Sequence, residues 1–517
     1  MRILFLLYEL LIFSTVVGIY KSWFTARDII GGDWPYFFTD LIREFSVFVP
    51  SWMSYQINGF GGPSLSYALD SYLYAVSYVF VRTFSVPWPV VYKGAFFGLF
   101  ILLSVISARY FVKTLLPDVD ARLKSLAALL YTTNTFILMV AGGGQLGIAL
   151  AYAFAPLVLG ESIGLISKLS TMPWTGCVRG IINLGFFYTL LVLFDARLAF
   201  LIALAQGVYV VFRAGISVRK MCMFVFWSFV IPGSISILLH ASWILPMIVF
   251  RFSPYQYLLA KSTGAGSFIF YSFASFSNGI SLLHPNWPEN IFGKVYFLRP
   301  EFLTLPVIAF IGLLGIDGEK GKIKRKNILY VGVLALVGVF LVKGSQPPLG
   351  EINVWLYTHF PGFTMFRDPT KFYLYIILGY LVLLPLGLSQ VVRVLSHHIP
   401  RIKFEAIFHV VFIAFVVIWG FMIRDAISGQ IGGTFRSRTV PKEYVTFSDI
   451  VSRQPQFFRT LWYPRQQRFA YYTNLHPAVE ANYLFMATTS GELASRIAAP
   501  EAEEIMKAAA IKYVVVP

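Results

Sequence analysis

Cysteine is nearly absent from this chain. Cys177 and Cys222 are its two in 517 residues. They form no metal-type spacing, fall near the ends of apolar runs, and are expected as free thiols. Charge is also scarce, at 13% of residues against 57% hydrophobic. With a mean hydropathy of +0.69, that balance excludes a soluble globular protein. Acidic residues are the rarer sign, with 25 Asp and Glu against 42 Lys and Arg, giving a net charge of +17. In so apolar a chain the excess points to loop anchoring and anionic lipid, not to nucleic acid. No convincing small-residue cleavage site follows Arg2 and the apolar run Ile3 to Tyr20, so the first span reads as retained. No internal repeat is visible, and intramembrane ionisable residues are few: Glu9, Glu161 and His240. A transporter built on repeats and midplane charges would need more of both.

What is present is a series of apolar runs. They begin at Ile3, Val91, Ala127, Leu146, Ile181, Leu198, Met223, Phe302, Ile328, Phe372 and Phe404. Each is read as a span of about 20 residues or fewer. Ile181 to Phe194 and Leu198 to Phe212 look too short to cross without local thinning. The expected fold class is an all-α polytopic membrane protein of about 11 transmembrane helices. A membrane domain, 1–423, carries a long first outer loop, 21–89. A small α/β soluble segment, 424–517, follows and reads as the possible start of a larger domain. The basic residues then orient the chain. Arg109, Lys113, Arg122 and Lys124, Arg213, Arg219 and Lys220, and Lys320 to Lys326 fall in loops on one side. By the positive-inside rule the N-terminus is cytoplasmic and the C-terminal segment extracytoplasmic.

The long and chemically varied loops therefore share the outer side. The first contains Gly31-Gly32-Asp33-Trp34-Pro35-Tyr36-Phe37-Phe38. Two glycines free the backbone to aim a carboxylate, and the aromatics suit the membrane interface. The stretches Asp40 to Phe48 and Tyr67 to Phe84 read as interfacial helices interrupted by Arg43, Glu44, Asp70 and Arg82. Taken as a solvated loop with an aromatic belt, the same residues need no chemistry. An enzyme acting at the outer surface, a lipid-linked-sugar flippase or other transporter, and a non-catalytic membrane scaffold are the three readings left open.

Several segments resemble the GT-C glycosyltransferases, integral membrane enzymes that use polyprenyl-phosphate sugars. Gly31 to Tyr36, Ser51-Trp52 and Asn58-Gly59-Phe60-Gly61 are similar to the first loop of one branch. Gly142 to Leu146 with Ala151 to Leu157 resembles its glycine turn and proline-bearing span. Phe360-Pro361-Gly362-Phe363 and Phe366 to Phe372 resemble its loop entering a late span, and Ile511 to Val516 a strand opening its soluble part. That branch holds the membrane modules of the α-(1→3)-arabinofuranosyltransferase group and the YfhO-like proteins. The resemblance is loose but spans most of the chain.

It implies transfer of a sugar from a polyprenyl-phosphate donor to a glycan or lipid-linked acceptor hydroxyl at the outer membrane face. An acidic residue of the first loop is implied as general base. By position this is Asp33, with Asp28 as competitor. A carboxylate in hydrogen-bond reach can take the acceptor proton, and a cation should meet the negative charge of the departing phosphate. Arg367, whose guanidinium grips phosphate in two places, and then Lys371 are the candidates. Asp195, in the tight turn Asp195-Ala196-Arg197, is a further acidic candidate, or a self-paired turn. His284, in His284 to Asn290, reads as an acceptor-side loop or an ordinary proline-rich turn. Some members hold a divalent metal by carboxylates. Mg²⁺ or Mn²⁺ on Asp33, Asp195 and Glu351 is the corresponding expectation, without a local ligand cluster to support it. No other cofactor is implied.

Overall fold

The computed structural model describes residues 2–26, 28–64, 67–249, 264–286, 299–314, 322–429 and 436–517. The described residues form two compact units. One comprises 2–25 with most of 96–429. The other joins 26–95 to 436–517.

The membrane helices lie where the apolar runs predict. Among the described residues nine are long and apolar enough to cross a bilayer: α1 Leu6–Thr25, α2 Trp88–Leu115, α3 Leu146–Leu169, α4 Trp174–Phe194, α5 Ala196–Ala214, α6 Val218–Leu239, α7 Arg325–Val342, α8 Pro369–His398 and α9 Phe404–Met422. A bent pair, Ala121–Thr133 and Thr135–Gly142, makes a tenth, and Pro300–Leu314 is a shorter apolar helix. The chain is thus a multi-pass, mainly helical membrane protein. The expected shortness of the fifth and sixth spans is not observed. α4 and α5 run for 21 and 19 residues, because both begin earlier than their most apolar stretch. No thinning is needed to accommodate helices of that length.

Within the first unit, α3 and α8 form the centre, 89% and 94% buried, while α6 and α9 are 22% and 28% buried. All four are apolar, so hydropathy does not separate them. Lipid is as apolar as a protein core, and close packing and internal hydrogen bonds decide which helix goes inside. α8 carries Tyr373, Tyr375 and Tyr380, whose hydroxyls donate to the carbonyls of Leu283 (2.8 Å), Leu201 (2.6 Å) and Ile280 (2.5 Å). On α3, Tyr152 donates to Tyr131 O at 2.9 Å and accepts from Asn134 Nδ2 at 2.8 Å. A phenol in hydrocarbon needs such a partner, which pulls tyrosine-rich faces inward. Glycines set the approach of neighbouring helices. A Cβ on Gly379 of α8 would sit 2.6 Å from the Cβ of Ala335, and one on Gly338 of α7 2.8 Å from that of Tyr375.

The second unit is a small α/β assembly. β1 (Ile29–Ile30) pairs antiparallel with β2 (Arg436–Ser437). β3 (Arg459–Trp462) is the middle of a three-stranded parallel sheet, flanked by β4 (Ala478–Glu480) and β5 (Ile511–Val515). β5 is the strand expected from Ile511 to Val516, but it does not open a sheet. It adds the third strand to one that β3 and β4 begin. The helix Glu501–Ala508 precedes it. The first-loop residues pack into this unit. Arg459 Nε donates to Gly59 O at 2.7 Å, and Asn474 donates through its backbone and side chain to Glu44 Oε2 at 3.0 and 3.1 Å. Gly59 takes φ +82 against the carbonyl of Ala478, where a Cβ has no space. A division at residue 423 does not express this grouping, which joins segments from opposite ends of the sequence. Cys177 is buried and Cys222 exposed, and both are free thiols.

Candidate functional site

In the second unit the Gly-Gly stretch folds into a closed turn. Gly31 N donates to Trp34 O at 3.2 Å and Trp34 N to Gly31 O at 3.0 Å, with Gly32 at φ +55. That backbone conformation is open to glycine at little cost. The turn leaves Asp33 exposed and buries Trp34. Trp34 is therefore not a membrane-belt residue. It stands 5.8 Å from Phe37 and 6.1 Å from Tyr92, and Trp88 lies 6.1 Å from Phe37 and 5.5 Å from Tyr92.

These rings wall a cavity of about 50 Å³ whose lining includes Asp28, Tyr36 and Tyr92. Asp33 is not part of the lining. Asp28 is held there by its neighbours. Its carbonyl accepts from Arg438 N at 3.3 Å, and the next residue, Ile29, donates from its N to Tyr92 Oη at 3.0 Å. Lys93 Nζ donates to Ala26 O. The first loop thus brings a carboxylate to an aromatic-walled hollow. Of the two first-loop acids, Asp28 is on the wall and Asp33 is not.

The remaining candidates belong to the first unit. Arg367 is exposed, its guanidinium 5.0 Å from the Tyr271 ring centroid, and it makes no ion pair among the described residues. Lys371 differs. It is 5% exposed and ion-paired to Asp368. Asp368 caps the turn Pro369–Phe372, accepting from Thr370 N (3.0 Å) and Oγ1 (2.7 Å). Burial alone would raise the Asp368 pKa, but the Lys371 charge and these hydrogen bonds outweigh it and hold it down at about 2. His284 is 7% exposed. Its N donates to Thr135 Oγ1 at 2.8 Å, and its ring lies 5.8 Å from that of Tyr373. Burial pushes its pKa down to about 4, with Asp368 acting against and Lys371 with that shift. His284, Asp368 and Lys371 form one interacting cluster, which the sequence does not signal because the histidine comes from a separate loop. Residues 287–290 of that loop lie outside the described residues.

Asp195 caps α5, accepting from Arg197 N at 2.9 Å and Leu198 N at 3.2 Å, and pairs with Arg197 Nη2 at 2.6 Å. Its carboxylate is engaged by its own turn. Glu351 is exposed in the first turn of the helix Gly350–His359, near buried Lys343. Among the described residues no group of three His, Cys, Asp or Glu is arranged to hold a metal. The intramembrane charges also have partners: Glu9 with Arg109 and Ser125, Glu161 with Tyr110 Oη at 2.6 Å, and His240 with Trp243 Nε1 at 3.0 Å.

The wall residues Trp88 and Tyr92 were not legible as site residues. Trp88 reads as the end of the first outer loop and Tyr92 as the start of a span, and only the fold brings them to Asp28. A Trp-Pro pair at the mouth of a span was the available signal.

No protein-family profile and no curated protein matches the chain in sequence. Solved structures do match. The archaeal oligosaccharyltransferase AglB of Archaeoglobus fulgidus, in complex with an inhibitory peptide and a dolichol-phosphate, is 11% identical with a TM-score of 0.60. That match covers 100% of this chain and 69% of AglB. The mycobacterial arabinofuranosyltransferase AftD is 15% identical with a TM-score of 0.56. It covers 93% of this chain, which spans about a third (32%) of AftD. An A. fulgidus oligosaccharyltransferase structure with Zn and sulfate is 11% identical, with a TM-score of 0.53 over 98% of this chain and 67% of that one. At such identities the likeness is one of fold alone, a fold shared with AglB and AftD.

Proposed function

We propose that this chain is a membrane glycosyltransferase that moves a sugar from a polyprenyl-phosphate donor to an acceptor hydroxyl at the outer membrane face. The observation that carries the reading is Asp28 on the aromatic wall of the first-loop cavity, in a chain of GT-C fold. Asp28, ahead of Asp33, is the base that takes the acceptor proton as the glycosidic bond forms. The aromatic rings offer flat apolar faces to a sugar, and Tyr36 and Tyr92 offer hydroxyls. Arg367 meets the phosphate that leaves, because it is exposed and has no carboxylate partner among the described residues, whereas Lys371 is committed to Asp368. The dolichol-phosphate bound to AglB supports a lipid-phosphate donor, and the likeness to AftD supports the arabinofuranosyltransferase-like branch. The Zn held by the other A. fulgidus structure keeps a divalent cation, Mg²⁺ or Mn²⁺, part of the proposal, although among the described residues no three ligands are arranged to hold one. The N-terminus is cytoplasmic and the second unit extracytoplasmic.

The test is sugar transfer by the purified full chain in nanodiscs, with radiolabelled polyprenyl-phosphate sugar. Asp28→Asn keeps shape but cannot accept a proton, and turnover should fall ~10²–10⁴-fold with donor binding unchanged. Asp33→Asn should lose far less. A dead Asp33→Asn beside an active Asp28→Asn would return the base to Asp33. Full activity in both would remove the first loop from the chemistry and leave the flippase reading.

A further inference from the structure

Next to the Asp28 cavity, and sharing Thr39, Trp88 and Pro89 with it, the second unit has a groove of about 560 Å³. Two arginines line it: Arg43 from the helix Thr39–Glu44, and Arg82 from the π-helical segment Ser77–Thr83. Both are exposed, and neither makes an ion pair among the described residues. The nearest acids in sequence are engaged elsewhere. Asp40 accepts from Tyr471 Oη at 3.3 Å and Glu44 from Asn474. Arg82 lies 5.5 Å from the Tyr78 ring centroid. Ser85, on the lining between Arg82 and Trp88, is held at φ +55, and Val86 N closes the turn onto Phe80 O at 2.9 Å. The lining thus pairs two unmatched guanidinium groups with an apolar floor of Val81 and Trp88.

The rim is the opposite of charged. Phe80, Phe84 and Val90, which adjoin the lining in sequence, are 44%, 66% and 59% exposed, and Phe48 beyond Arg43 is 81% exposed. Large apolar side chains turned outward beside arginines mark a surface that meets the bilayer interface. At that depth the anion a planar guanidinium fork fits is a phosphate.

We infer that Arg43 and Arg82 bind the phosphate group of a membrane lipid, whose chains lie along the Phe80, Phe84 and Val90 rim. The chemistry is shared by two sources, an anionic glycerophospholipid and a polyprenyl phosphate. Neither Arg367 nor sugar transfer enters the inference, so it stands apart from the preceding reading.

The experiment is native mass spectrometry of the full chain in detergent, titrated separately with phosphatidylglycerol, undecaprenyl phosphate and, as a phosphate-free lipid, diacylglycerol. Arg43→Gln and Arg82→Gln should each weaken retention of a phosphate lipid roughly tenfold, as loss of a charged hydrogen bond predicts. Diacylglycerol retention should not change. Arg43→Lys with Arg82→Lys, which keeps the charge and spares the fold, should lose only a few-fold. Loss confined to phosphatidylglycerol assigns the groove to bulk phospholipid, and loss confined to undecaprenyl phosphate assigns it to a polyprenyl lipid. Loss of both assigns it to the phosphate group itself. Unchanged retention of both lipids in the Gln variants overturns the inference. So does an equal loss in Arg453→Gln, which removes an exposed arginine of the same unit outside the groove.

Discussion

Asp28 and Asp33 flank one Gly-Gly turn, and the sequence favours the second because it directly follows the glycines. The structure puts the first on the cavity wall, through the bond from Arg438 N to its carbonyl and the bond from the adjoining Ile29 N to Tyr92 Oη, which no local pattern announces. The turn itself was legible, since Gly32 takes the conformation that a Gly-Gly pair offers. Arg367 was legible as an interfacial cation, but the engagement of Lys371 by Asp368 follows from burial. Arg367→Ala should weaken donor affinity by ~1.5–3 kcal/mol, the worth of a charged hydrogen bond. Wild-type affinity for a polyprenyl-phosphate sugar in a titration would make it an interfacial anchor only. Asp70 gives a prediction independent of function. Burial raises its pKa to about 6, against the opposing bond from Ser64 Oγ. An acid raised on folding binds more protons when folded. Its stabilising contribution is therefore complete below pH ~4, its unfolded range, and is lost as pH rises through 6. Asp70→Asn should remove that loss and stabilise the protein at pH 8 by ~1–3 kcal/mol relative to pH 4. Parallel pH profiles of thermal unfolding for variant and wild type would show that Asp70 carries no such linkage.

Among the elements, the membrane helices were the most legible, because a run of apolar residues has few alternatives in a bilayer. Their ends were not. α4 starts at Trp174, across Gly176 and Arg179, and α8 continues to His398 past Arg393. A helix near the interface tolerates charge that snorkels, so charge does not mark its end. Nor did hydropathy separate central helices from lipid-facing ones. The centre is marked by tyrosines with carbonyl partners and by glycines at close approaches. Gly379→Ala should therefore force α8 away from Ala335 and Val331 on α7 and destabilise the protein by ~1–3 kcal/mol. In α5, a Cβ on Gly207 meets nothing within 4 Å. Gly207→Ala should be neutral or stabilising by up to ~1 kcal/mol. Thermal unfolding of both in nanodiscs decides the matter. Equal effects would mean that α7 and α8 are not packed through that glycine.

For the molecule as a whole, charge asymmetry fixes the expected topology. Maleimide labelling in intact cells should leave Lys220→Cys unreacted and modify Ser428→Cys, both at exposed positions. Labelling of both from one side would overturn the orientation. What the sequence did not reveal was the composition of the second unit. Its first-loop helices looked like separate interfacial elements, and the C-terminal segment looked like the start of a soluble domain. Their pairing depends on single bonds such as Arg459 to Gly59, 400 residues apart, and no periodicity or composition reports a contact of that range. That separation has a consequence for how the protein is made. Residues 26–95 leave the ribosome first, and their partners at 436–517 follow only after the intervening helices. At ~5–20 residues per second this interval lasts on the order of tens of seconds. Throughout it Phe38 and Phe60, which in the finished unit pack against Val451, Phe458 and Tyr471 and against Leu461 and Val479, lack those partners. The nascent first loop must spend that interval sheltered by lipid or by a chaperone, and the cavity beside Asp28 can gain its final shape only after the last helices have been inserted.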